Sequence, residues 1–288
     1  MKAKLQSVAS AEATANARPF LKWVGGKTQL LSVLERRMPT RYGRYFEPFI
    51  GGGALFFYLR PSQAVLSDVN EALILTYRVI RDRVEDLIHD LAKHRYEQEY
   101  YYEIRAVDRS PSFQDWSEVS KASRLIYLNK CCFNGLYRVN SRGEFNVPFG
   151  RYKSPNFLDK QNLRACGRSL QDVELRVSHF SAIESQVRSG DFVYFDPPYA
   201  PVSATSNFTS YSKAGFDLME QIALRDLCQR LDAKGVHFMV SNSSAPLILD
   251  IYQAFNVESV MASRTVNSLS SKRGKVPEVI ITNYWIEE

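Results

Sequence analysis

Long apolar runs are missing from this chain of 288 residues. No stretch approaches the roughly 18 consecutive apolar residues of a membrane-spanning helix, so no membrane association is expected. Cysteine is sparse: Cys131, Cys132, Cys166 and Cys228 form no C-x-x-C pair, and two of them are adjacent. That spacing gives neither a disulfide framework nor a zinc site, and it fits a reducing cytoplasm. Histidine is equally scarce, and His89, His94, His179 and His237 show no H-E-x-x-H spacing, so no metal is expected. Residues 1–17 are small and polar and lack the apolar core of an export signal; they read as a disordered tail. An excess of acid is also absent. The net charge is +6 and the sequence pI is about 9.0, which permits a polyanionic partner without requiring one.

What is present centres on Asp196-Pro197-Pro198-Tyr199. The residues before it, Asp191 to Phe195, are aromatic and β-branched and read as a buried strand ending at the carboxylate. Open α/β sheets place their chemistry at the carboxyl ends of strands. Two consecutive prolines remove two backbone donors, so the segment offers a carboxylate and bare carbonyls, all of them acceptors. Tyr199 adds a flat ring. Acceptors beside a stacking face suit a planar group carrying an amine, such as adenine. The plainer alternative is a strand-ending turn.

Two segments upstream have the makings of a nucleotide site. Tyr45 to Ile50 runs into Gly51-Gly52-Gly53 and then a helical stretch from Leu55 to Leu59, a strand-turn-helix unit. The frame is Gly51-x-Gly53-x-x-Phe56. The third glycine of the dinucleotide fingerprint is missing, which disfavours a pyrophosphate ligand and a nicotinamide oxidoreductase. A second strand, Ala64 to Asp68, ends in an acid at the distance where a carboxylate takes ribose hydroxyls; Asp68 is alternatively a cap for the helix starting near Asn70. Trp23-Val24-Gly25-Gly26-Lys27 reads as a glycine turn with a ring and a cation flanking a bound group, or with Trp23 as a core anchor. Helices are predicted over Thr28–Met38, Asn70–Ala92, Tyr100–Val107, Ser117–Tyr127 and Asp217–Leu231, and strands over Leu175–Phe180, Val236–Val240 and Glu278–Trp285. Phe180 is placed to cover one face of an adenine ring or to pack in the core. The polar loop Ala200–Gly215 is of a kind that often moves beside an active site.

Residues 129–153 carry Lys130, Arg138, Arg142, Arg151 and Lys153 against the single acid Glu144, interleaved with Phe133, Tyr137, Phe145, Phe149 and Tyr152. Ser141-Arg142-Gly143 reads as a hairpin turn. A basic, aromatic two-stranded ribbon is able to enter a major groove, where Arg suits guanine and Asn suits adenine. A solvated hairpin packed on its aromatics is the alternative. The Ser-rich segment 264–275, with Arg264, Lys272, Arg273 and Lys275, reads as a surface loop or as a phosphate-tracking one.

Taken in order, Phe20–Lys27, Phe46–Phe56, Leu66–Asn70, Asn134–Lys153, Asp196–Tyr199 and Ser271–Tyr284 resemble the Dam-type DNA adenine-N6 methyltransferases that modify GATC. The resemblance implies an α/β fold: a Rossmann-like S-adenosylmethionine-dependent methyltransferase sheet with an inserted, mainly helical target-recognition domain carrying a β-hairpin. Residues 18–95 and 175–288 would form the catalytic domain and residues 96–174 the DNA-binding insertion. S-adenosylmethionine is the implied donor. Trp23, Lys27, Asp68, Phe180 and Asp196 match cofactor contacts, and Glu47, Pro48, Phe49, Gly51 and Gly53 lie in the loop beneath the donor. Asn134, Leu136 and Arg138 match recognition positions, with Arg138 reading a guanine and Leu136 wedging near the target step. Lys22, Arg151 and Tyr152 match further DNA contacts, and Arg142 and Lys153 extend the basic ribbon. The Cys131-Cys132-Phe133 stretch departs from some relatives. The implied reaction is base flipping followed by direct displacement, with Asp196 and the Pro197 carbonyl accepting the amine hydrogens and Tyr199 stacking on the base. Double-stranded DNA is the expected partner of a cytoplasmic monomer, and a cognate GATC endonuclease in a restriction system is left open. Competing readings are an amino-methylating enzyme on RNA or protein and a DNA-binding regulator without turnover.

Overall fold

The computed structural model describes residues 16–201, 216–263 and 275–285. Its strands are β1 (Tyr45–Glu47), β2 (Ala64–Asp68), β3 (Glu174–Val177), β4 (Phe192–Phe195), β5 (His237–Ser243), β6 (Asn256–Ser263) and β7 (Lys275–Thr282). They join in one sheet in the order β3-β2-β1-β4-β5-β7-β6. β1 lies parallel to β2 and β4, and β4 parallel to β5, whereas β7 is antiparallel to β5 and β6. Parallel neighbours need long crossovers, which is why helices separate these strands in sequence. The order reverses between β1 and β4. That is the switch point at which open α/β sheets bind ligands, outside the carboxyl ends of the strands.

Register decides which side chains meet there. Phe46 pairs with Val193 and Glu47 with Leu66, so β1, β2 and β4 end at one edge, with Glu47, Asp68 and Asp196 at or just past their ends. β5 reaches the same edge, and its Ser243 pairs with Glu278 of β7. Four carboxylates thus arrive along one rim of the sheet.

The helices, in chain order, are α1 (Leu31–Glu35), α2 (Ala54–Leu59), α3 (Glu71–Asp82), α4 (Val84–Leu91), α5 (Gln98–Ala106), α6 (Glu118–Cys131), α7 (Lys160–Ser169), α8 (Leu218–Ala233) and α9 (Pro246–Ile251). The chain divides into two compact units. One holds the described residues up to Gly26 together with Gly51–Arg60 and Asn70–Leu175. The other holds Lys27–Ile50, Pro61–Val69 and the described residues from Arg176 onward.

In the second unit, alternate strand residues Phe46, Val65, Val193, Phe195, Phe238, Val240, Val279 and Ile281 are buried with Leu224, Leu227, Cys228 and Leu231 of α8. Those α8 positions recur at three- and four-residue spacing, so one stripe of the helix faces the sheet. Asp217 caps α8 by accepting from Glu220 N at 3.0 Å. In the first unit, α3 and α4 pack on α6 and α7. An aromatic core fills the space around α6: His94 stacks on Tyr127 at 4.4 Å, and Tyr101 meets Phe149 edge-on at 5.3 Å.

Several elements differ from their sequence-based boundaries. The helix predicted over Thr28–Met38 shrinks to Leu31–Glu35, because Leu30 N closes a tight turn on the Lys27 carbonyl at 2.8 Å. The Asn70–Ala92 helix breaks in two at Arg83, whose φ of −142° is not helical. The strand predicted to reach Phe180 stops at Val177, and Phe180 begins a 3₁₀ turn. β7 starts at Lys275 and ends at Thr282, three residues before Trp285. Strand β6 and helices α7 and α9 had no sequence counterpart. Within the expected tail, Asn16 and Ala17 are described and Ala17 is buried. Residues 1–15, most of the loop expected at Ala200–Gly215, and residues 264–274 lie outside the described residues.

Candidate active site

At the end of β4, in the second unit, an acid meets a buried cation and an aromatic ring. Asp196 follows Phe195 directly, and its Oδ1 lies 2.6 Å from the Lys27 ammonium. Lys27 is 5% exposed, and Asp196 retains about 20% of its side-chain surface. The same ammonium sits 4.6 Å from the Tyr199 ring centroid, a cation on an aromatic face. Lys27, Asp196 and Tyr199 are therefore one cluster. Burial raises the Asp196 carboxyl above its ordinary pKa; the Lys27 charge and hydrogen bond pull it back down, and Glu278 nearby pushes it up.

Tyr199 donates its hydroxyl to Glu278 Oε2 at 2.8 Å, which fixes the ring. Glu278 is buried. Burial is also the largest cause of the Tyr199 phenol being held well above its ordinary pKa, so it stays neutral and able to donate. Sequence reasoning put Glu278 at the start of a strand and gave it no role; its place opposite Ser243 came only from the β5–β7 pairing.

Glu47 is buried at the end of β1 and accepts from Tyr45 Oη at 2.6 Å. Pro48 and Phe49 form the turn that follows. Phe49 is half-buried and stacks on Phe180 at 5.4 Å. The Phe180 ring itself is 1% exposed and lies inside the apolar cluster, so Phe49 is the more accessible of the two faces. Asp68 is half-exposed at the end of β2, and its carbonyl accepts from Ser178 N at 3.1 Å. The helix-capping alternative for Asp68 is removed, because the cap of α3 is Asn70, which accepts from Leu73 N at 3.1 Å. Among the described residues no group of three or more His, Cys, Asp or Glu side chains is arranged to hold a metal ion.

The first unit presents the other half of the expected residues. Asn129, fully buried on α6, accepts from Lys22 N at 2.8 Å and donates to the carbonyls of Lys22 and Gly135, at 2.8 and 2.9 Å. That amide ties residue 22 to a sharp turn in which Asn134 and Gly135 adopt φ of 55° and 64°. Glycine is required at 135: a Cβ there would meet Lys22 Cδ at 2.3 Å and Lys22 Cβ at 2.6 Å. Lys22 then projects its ammonium to 4.3 Å over the Tyr152 ring. Asn134 is exposed and Leu136 half-buried, while Arg138, Arg142, Arg151 and Lys153 are exposed.

The hairpin is short but real. Val139 bridges Phe145, Asn140 N donates to Glu144 O at 2.9 Å, and Asn146 N donates to Arg138 O at 3.0 Å. The Asn140 side chain closes the turn, accepting from Arg142 N and Glu144 N, both at 3.0 Å. Arg138 Nε donates to Asn146 Oδ1 at 2.6 Å, so its guanidinium is pre-aimed, and Arg142 reaches Glu144 at 3.2 Å. At the base, Phe145 N donates to Asp108, which is paired at 2.7 Å with the buried Arg124. Trp23 stacks on Tyr137 at 5.3 Å and lies flush on Gly51, where a Cβ would come within 2.6 Å of its ring. Gly53 is similarly close to Tyr77 Oη, and Tyr77 donates to the Gly51 carbonyl at 3.0 Å.

A family model described as D12 class N6 adenine-specific DNA methyltransferase matches residues 23–266. The chain is 48% identical over 273 residues to Type II methyltransferase M1.LlaDCHI of Lactococcus lactis subsp. cremoris, covering 93% of this chain and 96% of that one. It is 41% identical over 287 residues to Type II methyltransferase M.MjaIII of Methanocaldococcus jannaschii, covering 93% and 99% of the two chains. To the DNA adenine methylase of Serratia marcescens it is 35% identical over 265 residues, covering 91% and 97%.

Proposed function

The chain belongs to the D12 class of N6 adenine-specific DNA methyltransferases, whose methyl donor is S-adenosylmethionine, and from that premise we propose that it methylates adenine within GATC on duplex DNA. The observation that carries the catalytic part is the Lys27–Asp196–Tyr199 cluster at the end of β4, beside the switch point of the sheet. The donor carries a positive sulfonium that presents an electrophilic methyl group. The residues present fit it: carboxylates line the rim, the Asp68 carboxylate stands at the end of β2 where ribose hydroxyls would be accepted, and Phe49 offers a flat apolar face. Trp23, Gly51, Gly53, Glu47 and Pro48 keep the donor-binding roles that the family resemblance assigns them, while Phe180, buried beneath Phe49, backs that ring.

Adenine's amine is a weak nucleophile because its lone pair is delocalised into the ring, and in a duplex it is out of reach. Flipping the base out costs about a few kcal/mol of stacking and pairing. Tyr199 receives the flipped ring. Asp196 Oδ1 is engaged by Lys27, which leaves Oδ2 to accept one amine hydrogen; the Pro197 carbonyl accepts the other. Two acceptors draw the nitrogen toward tetrahedral geometry and aim its lone pair at the methyl carbon. The nitrogen–carbon bond forms as the carbon–sulfur bond breaks, the sulfur keeps the electron pair, and Asp196 accepts the proton the nitrogen sheds. Alignment and fixed acceptors supply the acceleration.

Asn134, Leu136 and Arg138 support GATC as the target, since they match the family's recognition positions, the first two in the turn before the hairpin and Arg138 on it. Lys22, Arg142, Arg151, Tyr152 and Lys153 are assigned to the DNA around them. We further propose that the enzyme acts as a cytoplasmic monomer within a restriction system, in keeping with relatives named Type II methyltransferases. The test is to methylate a plasmid and cut it with endonucleases that differ in sensitivity to methylated GATC. Protection confined to the sensitive enzymes is the expected result. Full cleavage with label still incorporated in the DNA would move the target to another sequence, and label entering only RNA or protein would remove DNA as the substrate.

A further inference from the structure

Two fully buried amides lie behind the catalytic segment and grip its backbone on both sides of Tyr199. Gln221, on the first turn of α8, donates from Nε2 to the Pro198 carbonyl at 3.0 Å. Asn242, near the end of β5, accepts with Oδ1 from Ala200 N at 3.2 Å and from Ser243 N at 2.8 Å. The two amides are bonded to each other, Asn242 Nδ2 donating to Gln221 Oε1 at 3.1 Å. Ser243 adds a third hold, its hydroxyl donating to the Ala200 carbonyl at 2.6 Å. Gln221 and Asn242 are both 0% exposed.

Each amide here is used by a donor and an acceptor at once, so the network determines the orientation of both. The peptide groups on either side of Tyr199 are thereby locked to the sheet and to α8. Gln221 occupies the Pro198 carbonyl, whereas no hydrogen bond among the described residues ends on the Pro197 carbonyl, so the network does not claim that acceptor. We propose that Gln221 and Asn242, assisted by Ser243, are positioning residues for methyl transfer: they set the direction of the Pro197 carbonyl and the plane of Tyr199. This rests on reading Asp196–Tyr199 as the methyl-transfer site. Geometry of this kind acts on the reacting step, where a misplacement of about 1 Å costs about 100-fold in rate. It acts little on ligand affinity, since neither amide reaches the surface.

The test uses Gln221→Met, which keeps the volume and removes both hydrogen bonds, and Ser243→Ala, a smaller change that keeps the fold safer. Single-turnover methyl transfer is measured at saturating DNA and donor, well below the melting temperature, beside equilibrium binding of each. Duplexes with 2-aminopurine at the target position report stacking on Tyr199 by fluorescence. The expected result for Gln221→Met is a rate reduced about 10- to 100-fold, with both affinities within about 3-fold and altered 2-aminopurine emission in the complex. Ser243→Ala is expected to lose less rate in the same pattern. An unchanged rate with a lowered melting temperature would overturn the proposal and leave the network purely structural. If Gln221→Met does not fold, an unchanged rate and emission in Ser243→Ala overturns it equally. Asp196→Ala run alongside separates the two levels. Turnover in that variant would sink the site assignment itself, whereas a dead Asp196→Ala with a fully active Gln221→Met would sink only the positioning role.

Discussion

The Lys27 ammonium contacts Asp196 Oδ1 at 2.6 Å and at the same time sits 4.6 Å over the Tyr199 ring. One buried cation therefore organises both the acceptor and the stacking face proposed for the target base. It also governs the acidity of Asp196, opposing the upward push of burial. The carboxylate form is the one that accepts, so turnover should fall as pH drops through the Asp196 pKa. Because that pKa is raised, the acid limb of the single-turnover rate is expected above the ordinary aspartate value of about 3.9. Lys27→Met removes the lowering influence, and its limb is expected to move to higher pH, with a lower plateau. An acid limb unmoved by that substitution would disconnect the pair from the reaction.

Arg138 tests the recognition hairpin. Its guanidinium is exposed and pre-aimed by Asn146. Arg138→Ala is expected to cost about 1–3 kcal/mol of discrimination at one base pair, seen in kcat/KM on target duplexes and their single-base variants. Lys153→Ala should behave differently, weakening all duplexes alike and reducing the salt slope of binding by about 1. If Arg138→Ala gave that uniform pattern instead, its contact would be a phosphate.

How much of this was legible beforehand depended on how local each signal is. The strand ending at Asp196 showed itself because an apolar run met a Pro-Pro pair, and the hairpin because Ser141-Arg142-Gly143 sits between aromatic stretches. Arg83 gave no local sign of breaking its helix, having neither proline nor glycine beside it; the break appears only as a backbone φ of −142°. Strand β6 has an exposed face and lies at the edge of the sheet, so its pattern lacks a buried apolar run. Gln221 and Asn242 looked like ordinary polar residues. Their burial follows from the pairing of β4 with β5 and from where α8 begins, both long-range facts.

Gly135 links recognition to folding. With φ of 64° and the Lys22 side chain within 2.3 Å of any added Cβ, Gly135→Ala must strain the turn and displace Lys22. A loss of at least about 1–2 kcal/mol in denaturant unfolding is expected, together with weaker DNA binding. Unaltered stability would mean that the turn relaxes freely.

His94 provides a stability test in the first unit. Its ring is stacked on Tyr127 and bonded to Tyr100 Oη at 2.8 Å and Ser123 Oγ at 3.1 Å. Burial lowers its pKa from 6.5 to about 4. The unfolded chain therefore binds a proton that the folded one refuses, so stability is lost as pH falls from 6.5 to about 4. His94→Phe should flatten the dependence of melting temperature on pH across that window, whatever it does to the absolute value. An identical slope in both proteins would show that His94 titrates normally in the fold.

The central claim is that Asp196 directs methyl transfer to the adenine amine. Its most direct measurement is transfer of a labelled methyl group from S-adenosylmethionine to duplex DNA, followed by digestion to nucleosides and identification of the labelled one. Label is expected in N6-methyl-2′-deoxyadenosine with the wild-type chain and none with Asp196→Ala of unchanged circular dichroism. Label in another nucleoside, or comparable turnover by the folded variant, would contradict it.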